Sequence, residues 1–276
     1  MNALWAVALK EIRAGIRNRW VAAATGVLAA LAVGLAFLGS APTGTVGASR
    51  LAVTVVSLAS LTIFLLPLIA LMLSYDRLVG EMEAGTMLLL LAYPISRGQV
   101  VWGKFLGLFV LLALSTACGY GAAGLGIALA GDDSGAGDWP AFAALIASSV
   151  ALGAAFLAMG LLASAVVRER ATAAGLAVGL WLVFVLLFDL ALLGVLAATE
   201  GRGIPPELFR WVLLLNPADV FRLFNLTGFA DISRFSGMAG LSAQASLPPA
   251  LLAAALVAWV AAPLALAHAL FARRSL

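Results

Sequence analysis

The chain of 276 residues is 64% hydrophobic and only 11% charged, with a mean hydropathy of +1.11. Because soluble domains carry about 25% charged residues, this composition excludes a soluble globular protein and indicates an integral membrane protein. The net charge of +3 arises from basic residues near the ends of apolar runs, so it does not indicate a nucleic-acid partner. The single cysteine, Cys118, excludes an intrachain disulfide.

Residues 1–19 predict an amphipathic helix that lies in the cytoplasmic interface of the membrane. Its apolar residues recur at helical spacing and share one face: Trp5, Leu9, Ile12 and Ile16. Lys10, Arg13 and Arg17 cluster on the adjacent face, where anionic headgroups would attract them. The alternative is a basic leader that only sets the orientation of the chain. A cleavable signal peptide is disfavoured, because both the charged region and the apolar run are long for one.

Six apolar runs follow, each roughly 20 residues long and therefore able to cross a bilayer. The predicted spans are residues 21–38, 51–74, 105–130, 141–167, 173–198 and 249–271. Most basic residues lie on the side of both termini, and the other side holds only Arg50, Arg202, Arg210, Arg222 and Arg234. Since basic residues favour the cytoplasm, both termini are predicted to be cytoplasmic. The fold class is thus an all-α polytopic membrane protein with six transmembrane helices in one domain, residues 1–276.

The loop between the second and third spans, residues 75–104, is predicted to be cytoplasmic. Its charged residues are Asp76, Arg77, Glu81, Glu83, Arg97 and Lys104. A charge at the bilayer centre costs roughly 2.5–3.5 kcal/mol, so this loop must lie in water. It also contains an apolar stretch, residues 87–91, that is too short to span a membrane. A charged loop with a short apolar patch at the membrane edge is suited to binding a partner.

The long segment 199–248 is predicted to lie on the periplasmic side and to contain two short amphipathic helices. Their apolar faces are formed by Leu208, Trp211 and Leu215 in the first and by Phe221 and Phe224 in the second. Asp219 and Arg222 are spaced i,i+3 and predict an ion pair. Three roles are open for these faces: insertion into the outer leaflet, docking of an external partner, or packing over the helix ends.

The sequence contains little that could catalyse a reaction or hold a metal. Neither lysine ends a phosphate-binding GxxxxGK[ST] loop, and a lone histidine, His268, cannot supply a Ser-His-Asp set. Cys118, Met72 and Met159 are single residues on different spans, whereas Cu(I) sites need clusters of such ligands. We therefore predict a non-catalytic membrane subunit that binds no metal or cofactor directly.

Asp189 is the one acidic residue well inside a predicted span. Intramembrane acids are functional by default, so Asp189 is a candidate intramembrane polar site. The alternatives are a hydrogen bond to a neighbouring helix or a position nearer the outer edge. The sequence shows no basic partner within a span. An ion- or proton-coupled secondary carrier that uses Asp189 is the alternative function.

Glycines suggest where helices pack closely, and the chain shows no internal repeat. Gly175 and Gly179 form a GxxxG pattern, and further glycines crowd the third span: Gly119, Gly121, Gly124 and Gly126. Both sets are interpreted as helix packing, with a dimer seam as the alternative. A six-span unit without duplication often needs a second copy to enclose a path, so we expect a homodimer.

The loop at residues 75–104 resembles that of a known family. Glu81-x-Glu83-x-Gly85-Thr86, the leucines up to Leu91, Tyr93-Pro94-Ile95-Ser96-Arg97 and Gly103-Lys104 are similar to the ABC-2 type permeases. The six spans, the basic leader and the external helices agree, so the resemblance covers nearly the whole chain. It implies an ABC-2 permease fold in the bacterial inner membrane, with this loop as the coupling helix that docks on a separate ATPase subunit. ATP and Mg would then bind to that partner.

The resemblance also implies roles for particular residues. The predicted ATPase-coupling residues are Glu81, Glu83, Gly85, Thr86, Leu88, Leu91, Pro94 and Arg97. The charged ones would pair with the ATPase, residues 88–91 would enter its groove, and Gly85 would permit a tight chain reversal.

The resemblance implies partners as well. ALKEIRAGIRNRW near the N-terminus, the loop and LLNPADVFRL resemble permeases that serve copper-site maturation of nitrous oxide reductase. The expected partners are a second copy, two ATPase subunits, a periplasmic protein and the lipid bilayer. The scarcity of metal ligands favours a non-copper substrate or force transmission to the periplasmic partner.

Overall fold

A computed structural model of the chain describes residues 3–38, 50–130, 138–199, 206–227 and 247–274. These residues form helices joined by short turns, and none of them is in a β-strand. The helices are α1 (Ala3–Ile16), α2 (Arg19–Leu38), α3 (Arg50–Ser74), α4 (Val79–Glu83), α5 (Thr86–Leu91), α6 (Arg97–Leu129), α7 (Asp138–Val166), α8 (Arg170–Leu182), α9 (Phe188–Ala198), α10 (Pro206–Leu213), α11 (Pro217–Thr227) and α12 (Pro249–Arg273). A π-helical segment, Val183–Leu187, joins α8 to α9. Arg202 and Arg234 lie outside the described residues, as do residues 200–205 and 228–246 of the predicted periplasmic segment.

Five helical stretches in the described part of the chain are long and apolar enough to cross a membrane. They are Val53–Glu83, Arg97–Leu129, Asp138–Val166, Arg170–Ala198 and Pro249–Arg273. Ala3–Ile16 and Val21–Phe37 meet at a bend of 65°, and this pair makes a sixth span if it is counted as one. The prediction of an all-α polytopic membrane protein is confirmed. The side of the membrane on which the termini lie stays a prediction.

The third predicted span begins earlier in the structure than its apolar run. Ser96 and Gln99 form a capping box, in which the Ser96 hydroxyl accepts from the Gln99 N–H at 3.2 Å. The Gln99 side chain in turn accepts from the Ser96 N–H at 2.9 Å. Because this cap satisfies the first backbone donors, α6 starts at Arg97. The last eight residues of the predicted loop, 97–104, are therefore the first two turns of α6.

α7 is the most enclosed of the five spans, and small residues allow its neighbours to approach. A Cβ atom on Gly153 would lie 2.6 Å from a methyl of Leu112, and one on Gly160 would overlap the Ser74 hydroxyl. The predicted packing role is confirmed for Gly124, whose added Cβ would lie 2.7 Å from Phe142. It is wrong for Gly121, Gly175 and Gly179, which have open space beside them. Gly175 and Gly179 have this space because the span formed by α8 and α9 lies at the edge of the bundle.

α11 lies outside the five spans but packs into one end of the bundle. Val220 and Phe221 are fully buried. Phe221 belongs to the main core, whereas Val220 packs with Leu252 and Leu256 of α12. The second of the two predicted external helices is therefore part of the folded bundle.

Candidate functional site

The loop with the predicted coupling residues folds as a helical hairpin, which consists of α4, α5 and the turn between them. Gly85 makes this turn in a left-handed conformation with φ of 69°, which a residue with a Cβ adopts at a cost. The Thr86 hydroxyl donates to the Glu81 carbonyl oxygen at 3.2 Å across the turn. The chain reversal predicted at Gly85 thus occurs at that residue.

Glu81 is engaged inside the molecule. Its carboxylate lies 2.9 Å from the Lys104 ammonium in α6 and 3.0 Å from the Lys10 ammonium in α1. Lys104 also lies 2.7 Å from the Glu11 carboxylate, and Arg77 lies 3.6 Å from the other oxygen of Glu11. The first predicted ATPase contact is therefore part of an ion network that joins three parts of the chain.

Glu83 holds the hairpin to the beginning of α8. Its carboxylate accepts from the backbone N–H of Arg170 at 2.8 Å and lies 3.1 Å from the Arg170 guanidinium. The same guanidinium donates to the Gly80 carbonyl oxygen at 2.7 Å. Because these bonds occupy both oxygens of Glu83, this side chain positions α4 against α8.

Ser164 of α7 caps the first turn of α4. Its hydroxyl oxygen accepts from the backbone N–H groups of Leu78 and Val79, both at 3.0 Å. Leu78 stands at the N-cap position of α4 and has no side-chain acceptor of its own, so a residue far along the chain satisfies these donors. Sequence reasoning missed Ser164, because a serine inside an apolar helix carries no signal of this role.

Arg97 contacts the end of the last helix. Its guanidinium donates to the carbonyl oxygens of Ala272 at 3.2 Å and of Arg274. The Arg274 guanidinium donates to the carbonyl oxygens of Ala165 and Val167, both at 2.6 Å. Carbonyl groups at helix C-termini lack helical partners, so these arginines satisfy the ends of α12 and α7.

The outward surface of the hairpin is apolar. Leu88, Leu89 and Tyr93 are 61%, 68% and 69% exposed, and we call these three side chains the hairpin surface. Pro94 is exposed beside them, whereas Leu91 is half-buried and Met87 packs into the core. Of the predicted coupling residues, the charged ones thus bond within the chain, and Leu88 and Pro94 face outward.

A second polar cluster lies where α11 meets the span of α8 and α9. Arg222 binds Asp189 at 2.8 Å and Asp219 at 2.6 Å. The predicted i,i+3 pair of Asp219 and Arg222 is confirmed. The sequence shows no basic partner for Asp189 within a span, and the structure supplies one from outside the spans, because α11 folds back against the span and brings Arg222 to Asp189.

Asn216 extends this cluster to the π-helical segment. Its amide donates to the Asp219 carboxylate at 3.0 Å and to the Phe184 carbonyl oxygen at 2.9 Å. Burial raises the pKa of Asp219 to about 7, although the nearby Arg222 guanidinium opposes this shift. The cluster therefore holds two carboxylates around one guanidinium, in a place where one carboxylate retains a proton more easily than in water.

The residues predicted to dock a periplasmic partner separate into two groups. Leu208, Trp211 and Leu215 are exposed along one side of α10 and the turn after it. Phe221 is fully buried and Phe224 half-buried, so the second helix follows the packing alternative. Phe221 presents no surface to a partner, because its ring packs into the main core.

Metal ligands do not gather in the part of the chain that the structure describes. No three His, Cys, Asp or Glu side chains there come together as a metal site would require. His268 lies against Gly98 at the start of α6 and is partly exposed.

The sequence model of the family described as ABC-2 family transporter protein matches residues 5–276. The chain therefore belongs to the ABC-2 family and is a permease subunit of an ABC transporter, located as a multi-pass protein in the bacterial inner membrane. It is 48% identical over 276 residues to the "Probable ABC transporter permease protein NosY" of Stutzerimonas stutzeri. It is also 48% identical over 275 residues to the protein of the same name from Pseudomonas aeruginosa PAO1, with 99% of each chain covered in both comparisons. This membership disfavours the secondary-carrier alternative.

Proposed function

We propose that this permease couples ATP hydrolysis by a separate cytoplasmic ATPase to movement of its membrane spans. The observation that carries the proposal is an exposed apolar surface on a hairpin that is held firmly from within. The permease itself is non-catalytic, and ATP and Mg bind to the ATPase. Two such ATPases on two copies of the permease would move both hairpins together.

The structure changes how the contact with the ATPase is expected to work. Glu81, Glu83 and Arg97 already bond within the chain, so they fix the position of the hairpin. The hairpin surface then provides the contact, since Leu88, Leu89 and Tyr93 expose apolar area that an ATPase groove would bury. A push on this surface would reach α6, α7 and α8 at once, because the hairpin is bonded to all three.

The finer assignment follows from the sequence likeness and from the NosY name of the relatives. We propose that the partners are a second copy of the chain, two NosF-like ATPases and a NosD-like periplasmic protein. The complex would serve copper-site maturation of nitrous oxide reductase. Its permease would move a non-copper substrate or transmit force to the periplasmic protein, which the exposed side of α10 would contact.

The test is co-purification of the ATPase with the permease in mild detergent. Leu89→Asp should release the ATPase, because a carboxylate would have to be buried without a partner in an apolar contact. Leu215→Asp is a matched control: this leucine is 62% exposed but lies in the turn after α10, beside Leu214, whose carbonyl oxygen accepts from Trp259 of α12. Retention of the ATPase by Leu89→Asp, or its loss with Leu215→Asp alone, would contradict the proposed docking surface.

A further inference from the structure

Lys104 is a buried lysine at the point where three parts of the chain meet. Its side chain is 1% exposed, and its ammonium bonds Glu11 of α1 at 2.7 Å and Glu81 of α4 at 2.9 Å. Burying an ammonium is costly, and a well-packed apolar side chain often gives equal or greater stability in such a position. A role in fixing geometry therefore explains this residue better than a contribution to stability.

The charges around Lys104 are balanced. Among the residues that the structure describes, three basic and three acidic side chains form the network: Lys10, Arg77, Lys104, Glu11, Asp76 and Glu81. Arg77 also donates to the Leu73 carbonyl oxygen near the end of α3 at 2.8 Å. The network thus binds α1, the end of α3, α4 and α6 together without leaving a net charge.

The α1 helix also contacts α6 through its backbone. A Cβ on Gly103 would lie 2.9 Å from the Leu4 carbonyl oxygen, and one on Gly107 would lie 2.8 Å from the Ala8 carbonyl oxygen. Gly15, one turn beyond Glu11, packs directly on the Leu111 side chain. Backbones that touch in this way leave little room for sliding, so α1 is attached to α6 along its length.

The opposite side of α1 remains apolar and open. Trp5, Leu9 and Ile16 are exposed there, as an interfacial helix requires. Beyond Ile16 the chain bends by 65° into the helix that contains Val21–Phe37. α1 therefore connects the hairpin network to the first span, and it is more than a membrane anchor.

We propose that Lys104 is a positioning residue that makes α1, the hairpin and the start of α6 one rigid unit. A push on the hairpin then reaches the first span through α1. This inference rests on the proposed function for the origin of the push. The rigid connection itself is a property of the isolated permease and can be measured without an ATPase.

The first experiment measures the distance between spin labels on α1 and on the hairpin. The labels are attached at Arg13→Cys and Ala84→Cys, which are both exposed, in a Cys118→Ser background reconstituted in lipid nanodiscs. Lys104→Met removes the ammonium that lies between the buried carboxylate of Glu11 and the partly buried carboxylate of Glu81, so the distance distribution should broaden. Lys104→Arg retains a cation and should keep the distribution narrow. Lys10→Met is the matched control, since its side chain is 56% exposed and its loss leaves Lys104 between both carboxylates.

A narrow, unchanged distribution in Lys104→Met would overturn the inference. If Lys104→Met does not fold, Glu11→Gln carries the test: it weakens the bond of α1 to Lys104 and should broaden the distribution. A narrow distribution in that variant would overturn the inference equally.

The second experiment uses the full complex and separates this inference from the proposed function. Glu11→Gln should still co-purify with the ATPase, because the hairpin surface is unchanged. The ATP-dependent maturation of the reductase in cells should fall by roughly 2–30-fold, the range in which single residues alter coupling. Full maturation with a loosened α1 would overturn the inference. Absence of an ATPase from the wild-type complex would instead contradict the proposed function and leave the distance measurement valid.

Discussion

Asp219 illustrates how one residue depends on a fold that brings distant side chains together. It shares Arg222 with Asp189, a residue from another helix, and is itself 2% exposed. The sequence places Asp219 and Arg222 three residues apart on one helix, so their pairing was predictable. The contact with Asp189 was not, because it depends on how α11 folds back against the span. The i,i+3 spacing in the sequence therefore predicted the pair of Asp219 and Arg222 but could not predict the pair of Asp189 and Arg222.

The raised pKa of Asp219 predicts a dependence of stability on pH. Burial is the main reason that its pKa rises from the ordinary value of 3.8 to about 7 in the folded protein. Between about pH 4 and about pH 7, Asp219 therefore keeps its proton in the folded state but loses it in the unfolded state. The contribution of this proton to the free energy of unfolding is complete below about pH 4 and is lost as the pH rises through about 7. Thermal unfolding in detergent should occur at lower temperature at about pH 8 than at about pH 5.

Asp219→Asn should reduce this dependence on pH, because an amide does not titrate. The absolute melting temperature of the variant will differ as well, since the bond to Arg222 changes, so the comparison is between slopes. Asn225→Ala, on the same helix, is the control: it removes a buried side chain that has no titratable group, so it should leave the wild-type slope intact. Equal slopes for the wild type and Asp219→Asn would show that Asp219 is not the titrating group.

At the scale of elements, apolar runs predicted the spans well and the polar contacts between them poorly. The bonds that fix the hairpin and its neighbours join Glu83 to Arg170, Leu78 to Ser164 and Lys104 to Glu11, at separations of 87, 86 and 93 residues. Sequence shows that such charges exist but not which ones meet, so pairing with an outside partner was an equally good interpretation. The π-helical segment was equally hidden, because VFVLL reads as an ordinary apolar helix.

Because Ser164 of α7 caps the first turn of α4, its loss should destabilise α4 in particular. Ser164→Ala removes the acceptor for two buried backbone donors, which should cost about 1–3 kcal/mol of stability. Hydrogen exchange at the start of α4 should accelerate, because the first turn loses its external partner. The measurement is exchange detected by mass spectrometry on peptides that cover residues 76–85.

Ser149→Ala is a matched control in the same helix. This serine is also fully buried, but its hydroxyl donates to the Leu145 carbonyl oxygen of its own helix at 2.6 Å. Its loss should leave exchange in α4 unchanged. If both variants accelerate exchange equally, the effect reports general loosening of α7, and the capping role of Ser164 is refuted.

At the scale of the whole molecule, both ends of the described chain lie at the end of the bundle that carries the hairpin. α1 is joined to the hairpin by Lys104, which bonds both Glu11 and Glu81, and the C-terminal end of α12 is bonded to Arg97 at the start of α6. A chain that crosses a membrane an even number of times has both ends on the same side. The contacts therefore agree with six spans, the first of which is formed by α1 and α2 together. Asn216, which follows the turn after α10, belongs to the cluster around Asp189, and Asp189 is far along the span from the charged turn at Arg170.

The distribution of basic residues then predicts which end is cytoplasmic. Lys10, Arg97, Arg170 and Arg274 all take part in bonds at the hairpin end, and an excess of such residues marks the cytoplasmic side.

Single cysteines at Tyr93 and at Leu208, each in a Cys118→Ser background, should therefore react differently with an impermeant maleimide applied to spheroplasts. Leu208→Cys should be labelled in intact spheroplasts, whereas Tyr93→Cys should be labelled only after permeabilisation. Both side chains are exposed, so accessibility within the fold is matched and the membrane accounts for any difference. Labelling of Tyr93→Cys from outside would invert the molecule and place the hairpin surface beyond the reach of a cytoplasmic ATPase.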